Sequence, residues 1–159
     1  DFKAFLQGFL PAQPGPMVTP EGEVGGKHDG LMYYTLGQRR GLGIGGRGDG
    51  RSFFVVDKDL KKNHLIVAQG EDHPLLYSRA AMADQATFVC DPLPENTPVH
   101  LTAKFRYRQP DQGCTVTRVG ENLHFVFDEP QRAVTPGQSA VLYDGNICLG
   151  GGIIDSVER

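Results

Sequence analysis

The chain has 159 residues, 39% of them hydrophobic and 22% charged, with 16 basic side chains against 19 acidic ones and a formal net charge of −3. That length allows one ordinary domain or two small ones, and no apolar run approaches the ~18 residues needed to span a bilayer. A stand-alone nucleic-acid binder is usually basic, so the charge balance argues mildly against that class without excluding a local basic face.

Gly 21 and Pro 11 favour short strands and many turns over long helices. The chain opens on Asp1, with no basic-then-apolar leader, and reads as an excised piece of something longer. The three cysteines, Cys90, Cys114 and Cys148, are widely spaced and form no C-x-x-C pair. They are expected to be small buried hydrophobes in a reducing compartment. The five histidines show neither an i,i+4 pair nor a cluster, and no metal site is expected.

In chain order, DFKAFLQGFL (residues 1–10) places Phe2, Phe5, Leu6, Phe9 and Leu10 on one helical face. A short helix is expected there, stopped by Pro11. Loop-like sequence follows to Glu23, with Met17 to Thr19 as a brief strand. Residues 25–50 then gather ten of the 21 glycines. Glycine concentrates where backbone bends tightly or approaches something closely. Inside this stretch LMYYTL (31–36) has the composition of a strand bounded by Gly30 and Gly37. SFFVVD (52–57) and HLIVAQ (64–69), joined by KDLKKN, predict a hairpin.

Residues 70–98 are broken by His73-Pro74, Asp91-Pro92 and Leu93-Pro94. The division is therefore drawn between a small domain over 1–80 and a second one over 81–159. Beyond it VHLTAKFRYR (99–108) alternates, with Val99, Leu101, Ala103, Phe105 and Tyr107 on one face and Thr102, Lys104, Arg106 and Arg108 on the other. CTVTRV (114–119) and LHFVF (123–127) form a second hairpin. AVLYD (140–144) and NICL (146–149) flank the Asp144-Gly145 turn, and GGGIID closes the chain as a last strand. Five or six short antiparallel strands predict a small closed barrel, because closure removes exposed edges. The fold class is thus mainly β: a small mixed domain with a short N-terminal helix and hairpins, then a six-stranded antiparallel barrel.

Several motifs invite chemistry. GLGIGG (41–46) satisfies G-x-G-x-x-G, but a dinucleotide site needs that turn to open a helix, and Arg47-Gly48-Asp49-Gly50 leads to a strand. The arginines of this stretch, Arg39, Arg40, Arg47 and Arg51, are either solvated or phosphate-holding. Lys104, Arg106 and Arg108, at period two, suit successive phosphates or a solvated face. VTPGQ (134–138) predicts a type II turn, with Pro136 and Gly137 at its centre and Gln138 emerging at its end. No nucleophile–base pair, P-loop or H-E-x-x-H is present. The residues describe a binding or positioning module.

HDGLMYYTLGQRRGLGIGG (28–46) and AVTPGQSAVLYDGNICLGGGII (133–154) together resemble the C-terminal half of the bacterial tRNA-specific 2-thiouridylases. The opening DFKAFLQGFLPAQPG and the KFRYRQ segment are similar too, so the resemblance covers nearly the whole chain. It implies the central domain and C-terminal β-barrel of a cytoplasmic tRNA sulfurtransferase, the barrel being like the second domain of translation elongation factors. Such enzymes adenylate the wobble uridine with ATP and take sulfur from a cysteine persulfide, leaving 2-thiouridine. The family's Ser-Gly-Gly-x-Asp-Ser loop is absent here, and none of the three cysteines lies in a matching motif. ATP, magnesium and the catalytic cysteines are therefore expected elsewhere, with no catalytic residue, cofactor or metal in this stretch.

The resemblance carries tRNA contacts onto Arg106, Tyr107 and Gln138; apart from it, Lys104 and Arg108 on the period-two face, and Arg39 and Arg40 by their charge, are further candidates. Adjacent strand residues face opposite ways, and Gln109-Pro110 ends the strand. Arg106 and Tyr107 are therefore expected at the barrel rim, with Gln138 on the same rim. The other readings are a protein-docking barrel for a sulfur-relay partner and, last, a dinucleotide enzyme.

Overall fold

The computed structural model describes residues 13–44, 50–89, 91–106 and 109–159. The helix expected over 1–10 lies outside them, as do Cys90, Tyr107 and Arg108. The chain divides into two compact units, Asp1–Leu76 and Tyr77–Arg159, described here separately.

The first unit is built on β1 (Gly15–Val18), β2 (Val24–His28), β3 (Phe53–Asp59) and β4 (His64–Gln69). They form one sheet in the order β2-β1-β4-β3, with β1 and β4 parallel and the other pairs antiparallel. β3 and β4 are the hairpin expected from SFFVVD and HLIVAQ. β2 escaped the sequence because VGGKH carries two glycines, which strands disfavour. LMYYTL is not a strand. Leu31–Tyr33 make one 3-10 turn, and a second turn follows in which Gln38 N–H donates to the Thr35 carbonyl at 3.1 Å. The aromatic content there serves burial instead: Tyr34 and Leu42 join Met17, Val55, Leu65 and Val67 in the core.

His28, fully buried, fixes the corner between β2 and the β3–β4 hairpin. Its Nδ1 accepts the Gly30 N–H at 3.1 Å, so its Nε2 carries the proton and donates to the Asn63 carbonyl at 2.8 Å. Asn63, at φ 58°, uses its own amide on the Gln13 and Pro14 carbonyls at 3.0 and 3.2 Å.

The second unit is a closed barrel of six antiparallel strands: β5 (Tyr77–Phe88), β6 (Val99–Lys104), β7 (Gln112–Val119), β8 (Asn122–Arg132), β9 (Ser139–Asp144) and β10 (Ile147–Glu158). The order around it is β10-β5-β8-β7-β6-β9. Six strands were expected, but not these six. β5, rich in alanine, has little strand propensity; no strand was expected there, and the domain division at residue 80 falls inside it. NICL and GGGIID are one 12-residue strand, β10, bent by register shifts on either side of its glycines. Because β5 begins at Tyr77, residues 77–80 belong to the barrel. Inside, Phe105 meets Phe125 and Phe127 edge-on at 5.9 and 5.2 Å, over Leu101, Cys114, Val116, Leu123, Leu142 and Ile154.

β10 closes the barrel between β5 and β9, and its glycines let it do so. A Cβ at Gly150 would run into the Thr87 carbonyl, and one at Gly151 into the Ala140 carbonyl. Gly150 also has φ 141°, which L residues rarely adopt. Gly150→Ala is expected to lower unfolding stability by about 2–3 kcal/mol through overpacking and strain. Gly145→Asn, in the β9–β10 turn at φ 59° with open space around it, should be nearly neutral, because Asn tolerates that conformation. Urea unfolding of the two variants checks the contrast.

Candidate nucleic-acid interface

β6 ends at Lys104, two residues before Arg106. Phe105 N–H leaves the ladder and donates instead to the Gln109 side-chain oxygen at 3.1 Å. Arg106 therefore stands in the bend beyond the strand and does not share a strand face with Lys104 as their period-two spacing suggested; Arg108 lies outside the described residues. The chain returns at Gln109, whose N–H donates to the Arg106 carbonyl at 3.2 Å.

The exposed Arg106 guanidinium reaches the end of β8. Its Nη2 donates to the carbonyls of Arg132 and Ala133 at 3.1 and 3.2 Å. Ala133 is buried at φ 58°, an uncommon conformation for a residue other than glycine. Its carbonyl also accepts the Thr135 hydroxyl at 3.0 Å. No carboxylate among the described residues pairs with Arg106, so its charge is tethered but not neutralised.

The next residues form the expected turn. Gln138 N–H donates to the Thr135 carbonyl at 3.1 Å, and Gly137 has φ 94°, as a type II turn requires at its third position. The Gln138 side chain folds back over the turn, and its Oε1 accepts the Thr135 N–H at 3.1 Å. A backbone N–H can only donate, so the amide orientation is fixed and Nε2 points away from the turn.

The first unit contains the same device in Thr35-Leu36-Gly37-Gln38. Thr35 N–H donates to Gln38 Oε1 at 3.0 Å, and Gly37 has φ 84°. Each turn docks on a strand residue by the same two bonds: Gly37 N–H to Val55 O and Val55 N–H to Gln38 O at 2.7 and 2.9 Å, Gly137 N–H to Ile154 O and Ile154 N–H to Gln138 O at 2.8 and 2.8 Å. The two differ at the free end of the amide. Gln38 Nε2 is spent on the Arg40 carbonyl at 2.8 Å, whereas Gln138 Nε2 has no protein acceptor among the described residues.

Arg106 and Gln138 line one open depression of about 360 Å³, with Lys104, Phe105, Ser139, Val141 and Tyr143. Lys104 is already engaged: its ammonium lies 3.4 Å from Asp111 and 5.4 Å from the Tyr143 ring centre. Arg39 and Arg40 are exposed in the first unit and have no ionic partner among the described residues. One depression of that unit, of about 270 Å³, is lined by Glu21 and Glu23 beside Arg51 and His73. Two carboxylates make it a poor seat for a polyanion.

The family models agree with the two units. One described as tRNA methyl transferase PRC-barrel domain matches residues 3–69, and one described as aminomethyltransferase beta-barrel domain matches residues 78–154. A tRNA-specific 2-thiouridylase MnmA of Alkaliphilus oremlandii is 58% identical over 158 residues, covering 99% of this chain and 43% of that protein. Its counterparts in Pseudomonas entomophila and Pseudomonas aeruginosa are 55% and 54% identical, each over 99% of this chain and 42% of their own length. The chain belongs to the tRNA-specific 2-thiouridylase family. It spans less than half the length of these relatives.

Sequence reasoning missed several residues of this candidate site: Tyr143 on the wall of the depression, and Gln109, Gln112 and Gln131, whose side chains bond to one another and to the Phe105 N–H. For Gln131 a signal existed. In β8 the buried positions are Leu123, Phe125, Phe127 and Gln131, so a carboxamide occupies the inward phase of the strand.

Cys114 is buried in the barrel core, and burial first, then the negative charge of Asp128, pushes its thiol up to about 12. Cys148 is exposed. Iodoacetamide at neutral pH is expected to label Cys148 in the native 2-thiouridylase-family chain and to reach Cys114 only after unfolding, because the thiolate is the nucleophile. The raised folded-state value has a second consequence. Between the ordinary value of 9.0 and about 12, the unfolded chain loses this proton while the folded chain keeps it. Stability should therefore fall with rising pH across that window, and less steeply in Cys114→Ala. Peptide mapping after labelling and alkaline denaturation curves check the two outcomes.

Proposed function

We propose that this chain is the tRNA-binding and positioning portion of an ATP-dependent tRNA sulfurtransferase that makes 2-thiouridine at the wobble position in the cytoplasm. ATP, magnesium and the catalytic cysteines are supplied outside these residues, since no adenylation loop and no matching cysteine motif occurs among the 159. Alone, the chain positions RNA and performs no sulfur transfer.

The observation that carries this reading is the convergence of Arg106 and Gln138 on one depression. Arg106 presents an unneutralised guanidinium on carbonyl tethers, which suits a phosphate. Gln138 presents a pre-oriented amide donor, which suits a base or ribose acceptor. Lys104 contributes less, because Asp111 already offsets its charge. Tyr107, adjacent in sequence to Arg106, would stack on a base or bond to ribose. Arg39, Arg40 and Arg108 would add phosphate contacts.

The test uses a full-length 2-thiouridylase carrying this chain and its unmodified tRNA substrate. Arg106→Ala is expected to weaken tRNA binding by roughly tenfold or more, the usual cost of one charge-assisted contact. It should also reduce the slope of log affinity against log salt by about one. Gln138→Glu keeps an oxygen facing the Thr135 N–H but replaces the free donor with a negative oxygen. It should weaken binding while leaving the melting temperature unchanged. Unaltered affinity in both variants would refute the RNA-contact role, and co-purification of a sulfur-carrier protein through this barrel would then favour protein docking.

A further inference from the structure

The bend that carries Arg106 rests on three glutamine side chains. Gln109 Oε1 accepts the Phe105 N–H at 3.1 Å, and its Nε2 donates to Gln131 Oε1 at 3.2 Å. Gln131 Nε2 donates to Gln112 Oε1 at 3.2 Å and to the Glu129 carbonyl at 3.0 Å. Gln112 Nε2 donates to the Pro110 carbonyl at 2.8 Å. The direction of the chain is fixed at both ends, because it starts on a backbone N–H and finishes on backbone carbonyls.

Gln131 is the hub. It is only 6% exposed, and its amide is bonded at both oxygen and nitrogen, so little of the cost of burying it is left uncompensated. It is anchored in β8, where it pairs with Ser78 of β5. The next two residues, Arg132 and Ala133, supply the carbonyls that hold the Arg106 guanidinium. Thr135 and Gln138 follow within a few residues. One short run, residues 129–138, thus grips the Arg106 bend by side chain and by backbone while also presenting Gln138.

We infer that Gln131, acting through Gln109 and Gln112, is a positioning residue for tRNA binding: it sets the Arg106 bend in register with the Gln138 turn without touching the RNA. The inference rests on the RNA-contact reading of Arg106. A buried leucine at 131 could fill similar space and leave the barrel closed. It would release Gln109, and with it the bend, so the guanidinium would be presented over a range of positions instead of one.

A double-mutant cycle in the full-length 2-thiouridylase tests this, with tRNA affinity measured over a salt series for Gln131→Leu, Arg106→Ala and the double variant. Gln131→Leu is expected to lower affinity by about tenfold, within the usual coupling between neighbouring sites. Its salt slope should fall towards that of Arg106→Ala. The double variant should bind little worse than Arg106→Ala alone, since the same contact cannot be lost twice. Gln109→Leu, which cuts the chain at its less buried end, should behave in the same way and serves if Gln131→Leu fails to fold.

A lower melting temperature with unchanged affinity and salt slope would make the three glutamines purely structural and overturn the inference. Additive losses in the double variant would overturn it as well. If Arg106→Ala alone leaves binding unaltered, the RNA-contact reading falls first and this inference falls with it. If Arg106→Ala weakens binding and Gln131→Leu does not, only the inference is lost.

Discussion

Closure of the barrel at β10 is the constraint on which the second unit depends. β10 must pair with β5 on one side and β9 on the other, and around Gly150–Gly152 the neighbouring backbones come too close for any side chain. Ala83 of β5 is the small side chain beside Gly152, while the buried Ala80 and Ala81 pair with Glu158 and Val157 further along β10. Once β10 is seated, Ile154 offers its backbone to the Thr135–Gln138 turn through two bonds of 2.8 Å. The position of Gln138 is thus a consequence of how the barrel shuts.

The same constraint explains what the sequence could and could not disclose. Alternation in LHFVF and VHLTA announces an inward face, and β6 and β8 lie where that pattern puts them. β5 was invisible because its alanines, Ala81 and Ala83 among them buried in the barrel core, carry little strand propensity. LMYYTL misled in the opposite direction. Its aromatic residues are buried as a strand's would be, but its backbone turns, since Gly30 and Gly37 take positive φ. The turn at 134–138 was legible because Pro136 and Gly137 restrict the backbone locally. The exit of Arg106 from β6 was half legible: Gln109-Pro110 marked an end, but not that Gln109 would take the Phe105 N–H. Contacts between residues 20 or more apart, such as Gln109 with Gln131, leave no periodic trace.

The recurrence of the T-x-G-Q turn in both units separates architecture from function. Both copies close on themselves, dock on a strand residue by paired backbone bonds and require a positive φ at glycine. Those shared features are a folding solution. What differs is the amide nitrogen: Gln38 spends it on Arg40, and that of Gln138 has no acceptor among the described residues. A donor held in a fixed direction loses less entropy on binding than a free side chain does, which is why the proposed RNA contact is placed on the second copy and not the first.

The way Arg106 is held has an electrostatic logic. Had a carboxylate tethered it, as Asp111 does Lys104 at 3.4 Å, the pair would approach a phosphate with little net charge. An arriving polyanion would also have to compete with the resident acid. Carbonyl oxygens of Arg132 and Ala133 orient the guanidinium through partial charges alone, and the glutamines beneath are neutral at every pH at which the protein folds. The Arg106 guanidinium therefore keeps its charge locally even though the chain as a whole carries −3. A carboxamide chain also gives directional bonds without the long-range repulsion that acidic braces would exert on RNA. The acidic bulk composition and the proposed phosphate contact are then compatible, because the Arg106 bend is held by amides and carbonyls, and no carboxylate among the described residues opposes its charge.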